Sequence, residues 1–290
     1  MVKRISLFAV IFVVIGFSGS VVMALPPMGP PRALVGQDRW AVDVGVSHSK
    51  MDLEANGTTR ENPNGVAWLP EAASGHKIED LASNTVLGRV SFGAYDTIDV
   101  FVCLGLSDAQ DDMMETKNSN YVSPGGNRYS GIEAGHGLSY GLGARATFWA
   151  EGDLIWGGLV QLLWHNPSEG DIDLTPQDGD PTKMSGDVEM DYLEIQVAVG
   201  PTLQLDGFSV YGGPFLHFVD GDLDADISGT ASTPGEPTNR VKLSQDIEEE
   251  SLFGGFVGAS GEIDQDTSWF VEFQVTGDAW GIGIGGVRKF

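Results

Sequence analysis

Four aspartates at alternate positions are the most ligand-like run of side chains in this chain. The sequence Asp220-Gly-Asp222-Leu-Asp224-Ala-Asp226 carries them, and the same spacing recurs at 171–173 and 178–180. Hard cations such as Ca²⁺ take about six to eight oxygens from such carboxylates and from carbonyls. The glycine and closing glutamate of an EF-hand loop are not at the required spacing. We therefore predict weak divalent binding by Asp220, Asp222, Asp224 and Asp226, and no other cofactor.

Five histidines supply the candidate general bases. Ser47 and Ser49 flank His48, but no carboxylate is placed by the sequence to orient His48 as a catalytic triad requires. His165 and His217 lie in separate alternating segments, far from each other along the chain. Because no nucleophile, base and orienting group can be assembled from these positions, we predict that the protein is not an enzyme.

Ten segments with alternating apolar and polar residues account for most of the chain. They span residues 39–49, 84–94, 97–107, 137–149, 153–165, 189–203, 207–219, 250–263, 268–275 and 279–290. A period of two is typical of a β-strand whose two faces meet different surroundings. Each segment has roughly the ten-residue length of a tilted strand that crosses a membrane.

The connections between these segments alternate in length. Long stretches at 50–83, 108–136, 166–188 and 220–249 are each followed, one strand later, by a tight turn at 95–96, 151–152, 206 and 264–266. The exception is the last hairpin, at Gly277-Asp278, which is short where the alternation predicts a long loop. Short turns at one end and long loops at the other are typical of an outer-membrane barrel.

Aromatic residues cluster at the ends of the segments. The interpretation as membrane strands places one group near the periplasmic rim: Trp40, Phe148, Trp156, Phe208, Trp269 and Phe290. It places a second group near the outer rim: Tyr140, Trp164, Phe218 and Trp280. Two aromatic girdles that bound an aliphatic band are expected at membrane interfaces.

The last eleven residues, WGIGIGGVRKF, carry a family resemblance. Trp280, Ile282 and Ile284 alternate with glycines, and the chain stops at Phe290. This pattern resembles the closing strand of the OmpA/OmpX-like outer-membrane β-barrels, although Gly286 and Arg288 occupy outward positions where that family has apolar residues. The resemblance implies an all-β, antiparallel, up-and-down transmembrane barrel. We expect ten strands, with eight or twelve left open. It also implies that the barrel-insertion machinery reads Trp280, Ile282, Ile284 and Phe290 as an insertion signal.

The N-terminus has the pattern of an export signal. Lys3 and Arg4 precede an apolar run at 5–17, and small or apolar residues end at Ala24. We predict a cleaved signal peptide at 1–24, a proline-rich leader at 25–36 that acts as a short extended tether, and a barrel at 37–290. The predicted location is the bacterial outer membrane.

Charged residues stand on the strand faces opposite the apolar ones. Because charge is costly toward lipid, these side chains must face the lumen. We predict that they pair with one another there: Asp43, Arg89, Asp99, Arg145, Glu194 and Glu272.

Composition argues against nucleic-acid binding and against a fold held by intramolecular disulfides. A net charge of −25 argues against nucleic-acid binding, which needs a basic surface. The single cysteine, Cys103, cannot form an intramolecular disulfide, and we interpret it as an inert wall or lumen residue. Glycine is abundant, at 40 of 290 residues, and lies inside the alternating segments, which indicates crowded strand faces.

Four functions remain open from the sequence. The first is a structural or surface-interaction role for a barrel that presents long acidic extracellular loops and contacts the lipid bilayer and lipopolysaccharide. The second is a narrow, porin-like channel for ions or small solutes. The third is a surface enzyme similar to the omptin proteases, which join an Asp pair to an Asp-His pair; Asp111-Asp112, His165 and His217 match that pattern poorly. The fourth is a soluble periplasmic β-sandwich.

Overall fold

In a computed structural model the chain forms twelve β-strands. They are β1 (Trp40–Asn62), β2 (Ala72–Tyr95), β3 (Ile98–Asp111), β4 (Met113–Ser119), β5 (Asn127–Glu151), β6 (Leu154–Pro176), β7 (Met184–Leu205), β8 (Phe208–Gly229), β9 (Arg240–Glu249), β10 (Phe253–Glu262), β11 (Thr267–Val275) and β12 (Ala279–Lys289). The structure describes residues 25–62, 65, 67–111, 113–119, 127–176, 184–229 and 239–290. Over these residues, no helix is long and apolar enough to span a membrane. The signal peptide, Asp112 and the 178–180 repeat lie outside the described residues.

Ten of the strands close into one antiparallel ring. Its order is β1, β2, β3, β5, β6, β7, β8, β10, β11 and β12. The ring closes where β12 pairs with β1, from Ala41 opposite Lys289 to Met51 opposite Ala279. These ten strands coincide with the ten alternating segments, so the predicted all-β antiparallel barrel is confirmed.

A second, smaller ring stands on the outer side of the first. Strands β10, β11 and β12 stop at the outer rim, whereas β1 and β8 continue beyond it. Strand β9 then lies between these two and pairs with both. Strand β4 continues β3 and pairs with β2 and β5. The barrel therefore narrows from ten strands to eight, and the prediction that 50–83, 108–136, 166–188 and 220–249 are mainly loops is wrong, because strands occupy much of each stretch.

The two rings have opposite polarity, which marks the outer rim of the membrane. On β8 the outward residues below the rim are apolar and include Phe208, Val210, Leu216 and Phe218; above it they are Asp220, Asp222, Asp224 and Asp226. The inward side holds the buried imidazole of His217 among the apolar rings and chains below the rim and is apolar throughout above it, at Leu223, Ala225 and Ile227. Lipid favours an apolar exterior and water favours a polar one, so the same strand suits both surroundings.

The predicted aromatic positions face outward. Trp40, Phe148 and Phe290 are more than half exposed at the periplasmic end, at 53%, 61% and 63%. At the outer rim the Tyr140 and Trp164 rings stack with their centroids 5.8 Å apart. These exposed rings flank aliphatic residues such as Val160, and amphipathic rings at both edges of an apolar belt fit the two membrane interfaces.

Because Val160 lies midway between Trp156 and Trp164 on β6, the replacement Val160→Arg tests the position of the belt. We expect it to lower the free energy of unfolding in lipid vesicles by about 2–4 kcal/mol, the cost of a cation near the bilayer centre. Urea titration of the refolded barrel measures the change. The control Ser168→Arg, outward on the same strand but above the rim, should change stability by less than about 0.5 kcal/mol. Equal costs for the two variants would contradict the position of the belt.

Candidate functional site in the barrel lumen

All six predicted lumen residues face inward. Each is at most 4% exposed: Asp43, Arg89, Asp99, Arg145, Glu194 and Glu272. Their side chains lie in the lumen but do not form one continuous network of ion pairs. Among the described residues one ion pair joins two of them, Arg89 Nη1 to Asp43 Oδ2 at 3.8 Å. The other charged groups mainly contact a segment that the sequence did not place in the lumen.

That segment is the N-terminal strap, defined as residues 25–36. The sequence predicts a short extended tether before the first strand; the structure places this segment inside the barrel, where Leu25, Met28 and Val35 are at most 3% exposed. The strap turns at Gly36, whose φ is +84°, and β1 begins four residues later at Trp40. Its C-terminal end therefore lies at the periplasmic mouth, and Leu25 lies deep in the lumen.

The two lumen arginines bind the carbonyl groups of the strap. Arg145 Nη2 donates to the Met28 carbonyl oxygen at 2.8 Å, and Arg89 Nη2 donates to that of Pro27 at 3.1 Å. Both guanidinium groups also lie over the Phe101 ring, 4.7 and 5.1 Å from its centroid. The strap thus supplies acceptors that two buried cations need, since an unpaired buried charge is costly.

The lumen carboxylates accept the amide groups of the strap. Met28 N donates to Glu272 Oε1 at 2.8 Å, and Val35 N donates to Asp99 Oδ2 at 3.2 Å. Leu34 N also donates to Asp99. The lumen therefore recognises the strap mainly through its backbone, with both charge types used.

The prolines of the strap suit this buried position. Pro26, Pro27, Pro30 and Pro31 have no amide hydrogen, so they bring no donor that the lumen would have to satisfy. The ring also restricts the backbone before burial, which reduces the entropy lost on ordering. The same proline-rich composition that predicts a tether before the first strand is therefore also suited to an enclosed segment.

Glycines of the wall make room for the strap. A Cβ at Gly283 would lie 2.7 Å from Pro27 Cβ, and one at Gly281 would lie 2.9 Å from Leu25 Cβ. At Gly157 a Cβ would lie 2.0 Å from the Pro31 carbonyl oxygen. The strap therefore packs against the glycine face of the closing strand, β12. This contact gives a physical reason why glycine alternates with apolar residues along β12.

A second polar cluster lies above the strap, where the ten-stranded ring gives way to the eight-stranded one. Glu194 is its centre: Oε1 lies 2.8 Å from His217 Nε2, and Oε2 lies 3.2 Å from His165 Nε2. His217 Nδ1 contacts Glu249, which ends β9. The sequence placed His217 inward from the alternation of β8, but the convergence of these four side chains required the pairing of β6, β7, β8 and β9.

The cluster includes an arrangement that the sequence did not assemble. Ser139 Oγ lies 3.0 Å from His165 Nδ1, whose opposite nitrogen faces Glu194. The sequence of groups, hydroxyl to imidazole to carboxylate, and the distances between them are those of a catalytic triad. All three side chains are at most 2% exposed, so the hydroxyl is enclosed away from solvent. The arrangement connects three strands of the wall and offers no open face to a substrate.

Apolar side chains fill most of the eight-stranded ring above this cluster, together with a hydrogen-bonded polar group of Ser74, His76 and Gln245. The apolar side chains belong to one continuous core and are at most 6% exposed: Leu53, Ala55, Ile78, Ile132, Ile172, Val188, Met190, Leu223, Ala225, Ile227, Leu243 and Ile247. An eight-stranded ring leaves an interior just wide enough for side chains to fill. We name this group the apolar cap; it closes the extracellular side of the lumen.

The four predicted divalent ligands lie outside the barrel. Asp220, Asp222, Asp224 and Asp226 follow one outward face of β8, about two residues apart along a strand, and so they spread over the sheet instead of converging. Over the described part of the chain, no group of three metal-ligating side chains is present. The expectation that they share a loop is wrong, because β8 continues through all four.

Like charges face each other across β7 and β8. The directly opposed pairs are Asp187 with Asp226, Glu189 with Asp224, and Asp191 with Asp222. Cross-strand pairs of like charge are destabilising. The repulsion at Asp226 is reduced by Lys242, whose Nζ lies 3.0 Å from Asp226 Oδ2. Although partial burial raises the pKa of the Asp226 carboxyl, the bonds from Lys242 and Arg240 outweigh it and hold that pKa below its ordinary value.

Comparisons with known proteins give structural similarity alone. No protein-family model matches the chain, and no curated protein matches its sequence. Among solved structures, the outer membrane protease OmpT of Escherichia coli is similar at 10% identity and a TM-score of 0.40, over 89% of this chain and 96% of that one. The toluene transporter TbuX of Ralstonia pickettii has 15% identity and a TM-score of 0.40, over 91% and 92%. The attachment invasion locus protein Ail of Yersinia pestis has 9% identity and a TM-score of 0.28, over 88% and 99%.

Those identities and TM-scores carry no argument about activity, and the assignment of this chain rests on its own geometry. The ring of ten antiparallel strands has no free edge, its exterior carries an apolar belt between aromatic rims, and its interior contains buried charged groups such as Arg89, Arg145 and Glu194. Backbone groups in lipid must be satisfied within the protein, which for strands requires such closure. The chain therefore has the architecture of a small membrane-spanning β-barrel.

Proposed function

We propose that this barrel has a structural or surface-interaction role and that its working surface is the outer face of the eight-stranded ring. The observation that carries the proposal is the apolar cap, which fills most of the interior above the membrane. A path for water or ions needs a continuous polar or open interior. The cap and the strap occupy the two halves of the lumen, so a conducting channel is the less favoured function.

The acidic outer face supports the same proposal. Three opposed carboxylate pairs across β7 and β8 lower the stability of the sheet, yet they stand together on one exposed surface. A partner that brings positive charge would relieve this repulsion. We infer that divalent cations bridge these carboxylates weakly to the phosphate groups of lipopolysaccharide, and that turnover of a substrate is not part of the role.

Conductance separates the surface role from the channel. We expect the purified full-length barrel to give no single-channel steps in planar bilayers, because the apolar cap presents no polar path. A general porin inserted under the same conditions provides the control for bilayer and detection. Reproducible steps from the folded barrel would overturn the proposal in favour of a narrow channel.

The surface role has its own test in vesicles that contain lipopolysaccharide. Adding Ca²⁺ should raise the unfolding temperature of the wild type, and Asp222→Asn together with Asp224→Asn should remove that increase. The control Asp206→Asn, in a periplasmic turn, should keep it. An increase that survives the double substitution would contradict a contribution of the acidic face.

A further inference from the structure

We propose that the lumen is a peptide-binding site for a proline-rich segment, that its occupant is the N-terminal strap, and that the strap docks after the barrel wall has closed. The proposal is independent of the surface role. It assigns a binding function to four of the lumen charges, Arg89, Asp99, Arg145 and Glu272, and to the glycines of the closing strand. The ligand class is a backbone-recognised, proline-rich peptide that bends at Gly29, whose φ is +76°, and at Pro31, where Arg32 N donates to the Pro30 carbonyl oxygen at 2.8 Å.

The wall is complete without the strap. Strand β12 pairs with β1 over eleven residue pairs, and no residue of 25–36 belongs to a β-ladder of the described structure. The strap is bound mainly by side chains of the wall, as in recognition of proline-rich peptides by preformed grooves. Formation of the ring and occupation of the lumen are therefore separable steps.

Recognition combines charge with shape. Arg89 and Arg145 hold the carbonyls of Pro27 and Met28, and Glu272 holds the Met28 amide. Amide groups of the wall add to this at the deep end, where Gln274 Nε2 donates to the Pro26 carbonyl at 3.3 Å. Leu25 and Pro27 pack against Gly281 and Gly283, where a larger side chain would clash with them. These contacts select a backbone with few amide hydrogens.

The direction of the strap permits late docking. Its attachment to β1 is at the periplasmic mouth: Asp38 N donates to the Gly93 carbonyl at 2.9 Å, and Gly93 N donates to that of Arg39 at 3.0 Å. The opposite end, Leu25, lies deepest. A segment held at the mouth can enter a closed ring from the periplasmic side, so threading during ring closure is not required.

The chain contains its own reporter for this step. Cys103 lies directly opposite Arg89 across β2 and β3, faces inward and is 4% exposed. Because Arg89, its neighbour across the sheet, donates to the strap carbonyls of Pro27 and Met28, we expect an empty lumen to expose the thiol and an occupied one to protect it. Reaction of Cys103 with a small water-soluble thiol reagent therefore measures whether the lumen is occupied.

The experiment follows refolding of the full chain into vesicles with two readouts, the heat-modifiable gel band for ring closure and thiol reaction for occupancy. We expect the folded band to appear first and thiol protection to follow in a slower phase. Gly283→Val fills the seat of Pro27, so this variant should give the folded band while its thiol stays reactive. Gly286→Val, on the same strand, should behave as the wild type, because an added Cβ there would lie 3.8 Å from its nearest neighbour, the Ser268 carbonyl oxygen.

A second variant changes the strap and leaves the wall intact. The combination Pro26→Ser, Pro27→Ser and Met28→Ser should fold and leave Cys103 reactive, and a synthetic peptide of residues 25–36 added to it should restore protection. The proposal is overturned if band and protection appear in one phase, if Gly283→Val fails to form the ring or keeps a protected thiol, or if the peptide gives no protection.

Discussion

Replacing Glu194 by alanine is expected to lower the free energy of unfolding of the barrel by about 3–5 kcal/mol, the cost of removing one member of a buried charged network. Glu194 is 1% exposed and contacts His165 and His217 through its two oxygens. It also accepts from Gln196 Nε2 at 2.8 Å. Its removal leaves these buried donors without their main acceptor.

Urea unfolding in vesicles, followed by the heat-modifiable band, measures this loss. Glu189→Ala is the matched control, because Glu189 lies on the same strand but faces outward, opposite Asp224. It should be neutral or slightly stabilising, since it removes a like-charge contact. Glu194→Gln should fall between the two, because it keeps the shape and loses the charge. A small effect of Glu194→Ala would show that the cluster is not a structural centre.

Replacing Phe215 by alanine is expected to cost about 3–5 kcal/mol as well, by the cavity that a large buried ring leaves behind. Phe215 is 1% exposed and packs edge-to-face on Phe256, with centroids 6.4 Å apart. It also stands next to His217 at the boundary between the polar lumen and the apolar cap. Space opened there would admit water beside the Glu194 cluster.

The control for Phe215 is an aromatic residue on the same strand that faces lipid. Phe208 is 44% exposed at the other end of β8. Lipid chains can fill the volume that Phe208→Ala removes, so its loss of stability should be clearly smaller. The comparison uses the same unfolding titration for both variants. Equal losses would mean that the interior at Phe215 is loosely packed.

The membrane-spanning half of the fold was accessible to sequence reasoning. Its ten strands, their inward and outward faces and the rim aromatics all follow from alternation, which is a local property of each strand. The six lumen charges were found for the same reason, because a charge in phase with the bare face cannot point to lipid. Phe290 and the residues in phase with it show this on the closing strand.

The extracellular half was misread for a physical reason. Beyond the rim the outward side is polar, so the stretch around Asp220 to Asp226 looked like an acidic loop. The alternation continues there, but the apolar residues now face inward, as Leu223, Ala225 and Ile227 show. A reversal in phase along one segment is a signal that sequence reasoning could have used. The position of β9 between β1 and β8 is different, since it depends on which strands stop at the rim.

The sequence by itself determined that this protein is a barrel of alternating strands with an apolar exterior in the membrane and a charged interior. Only the tertiary structure decided what that interior binds. Met28 and Glu272 are 244 residues apart in the chain, and His217 meets Glu194 only because β7 and β8 pair in one register. Local alternation fixes the side to which a residue points. The closure of the ring fixes its partners, and these place the proline-rich strap on the glycine face of the closing strand.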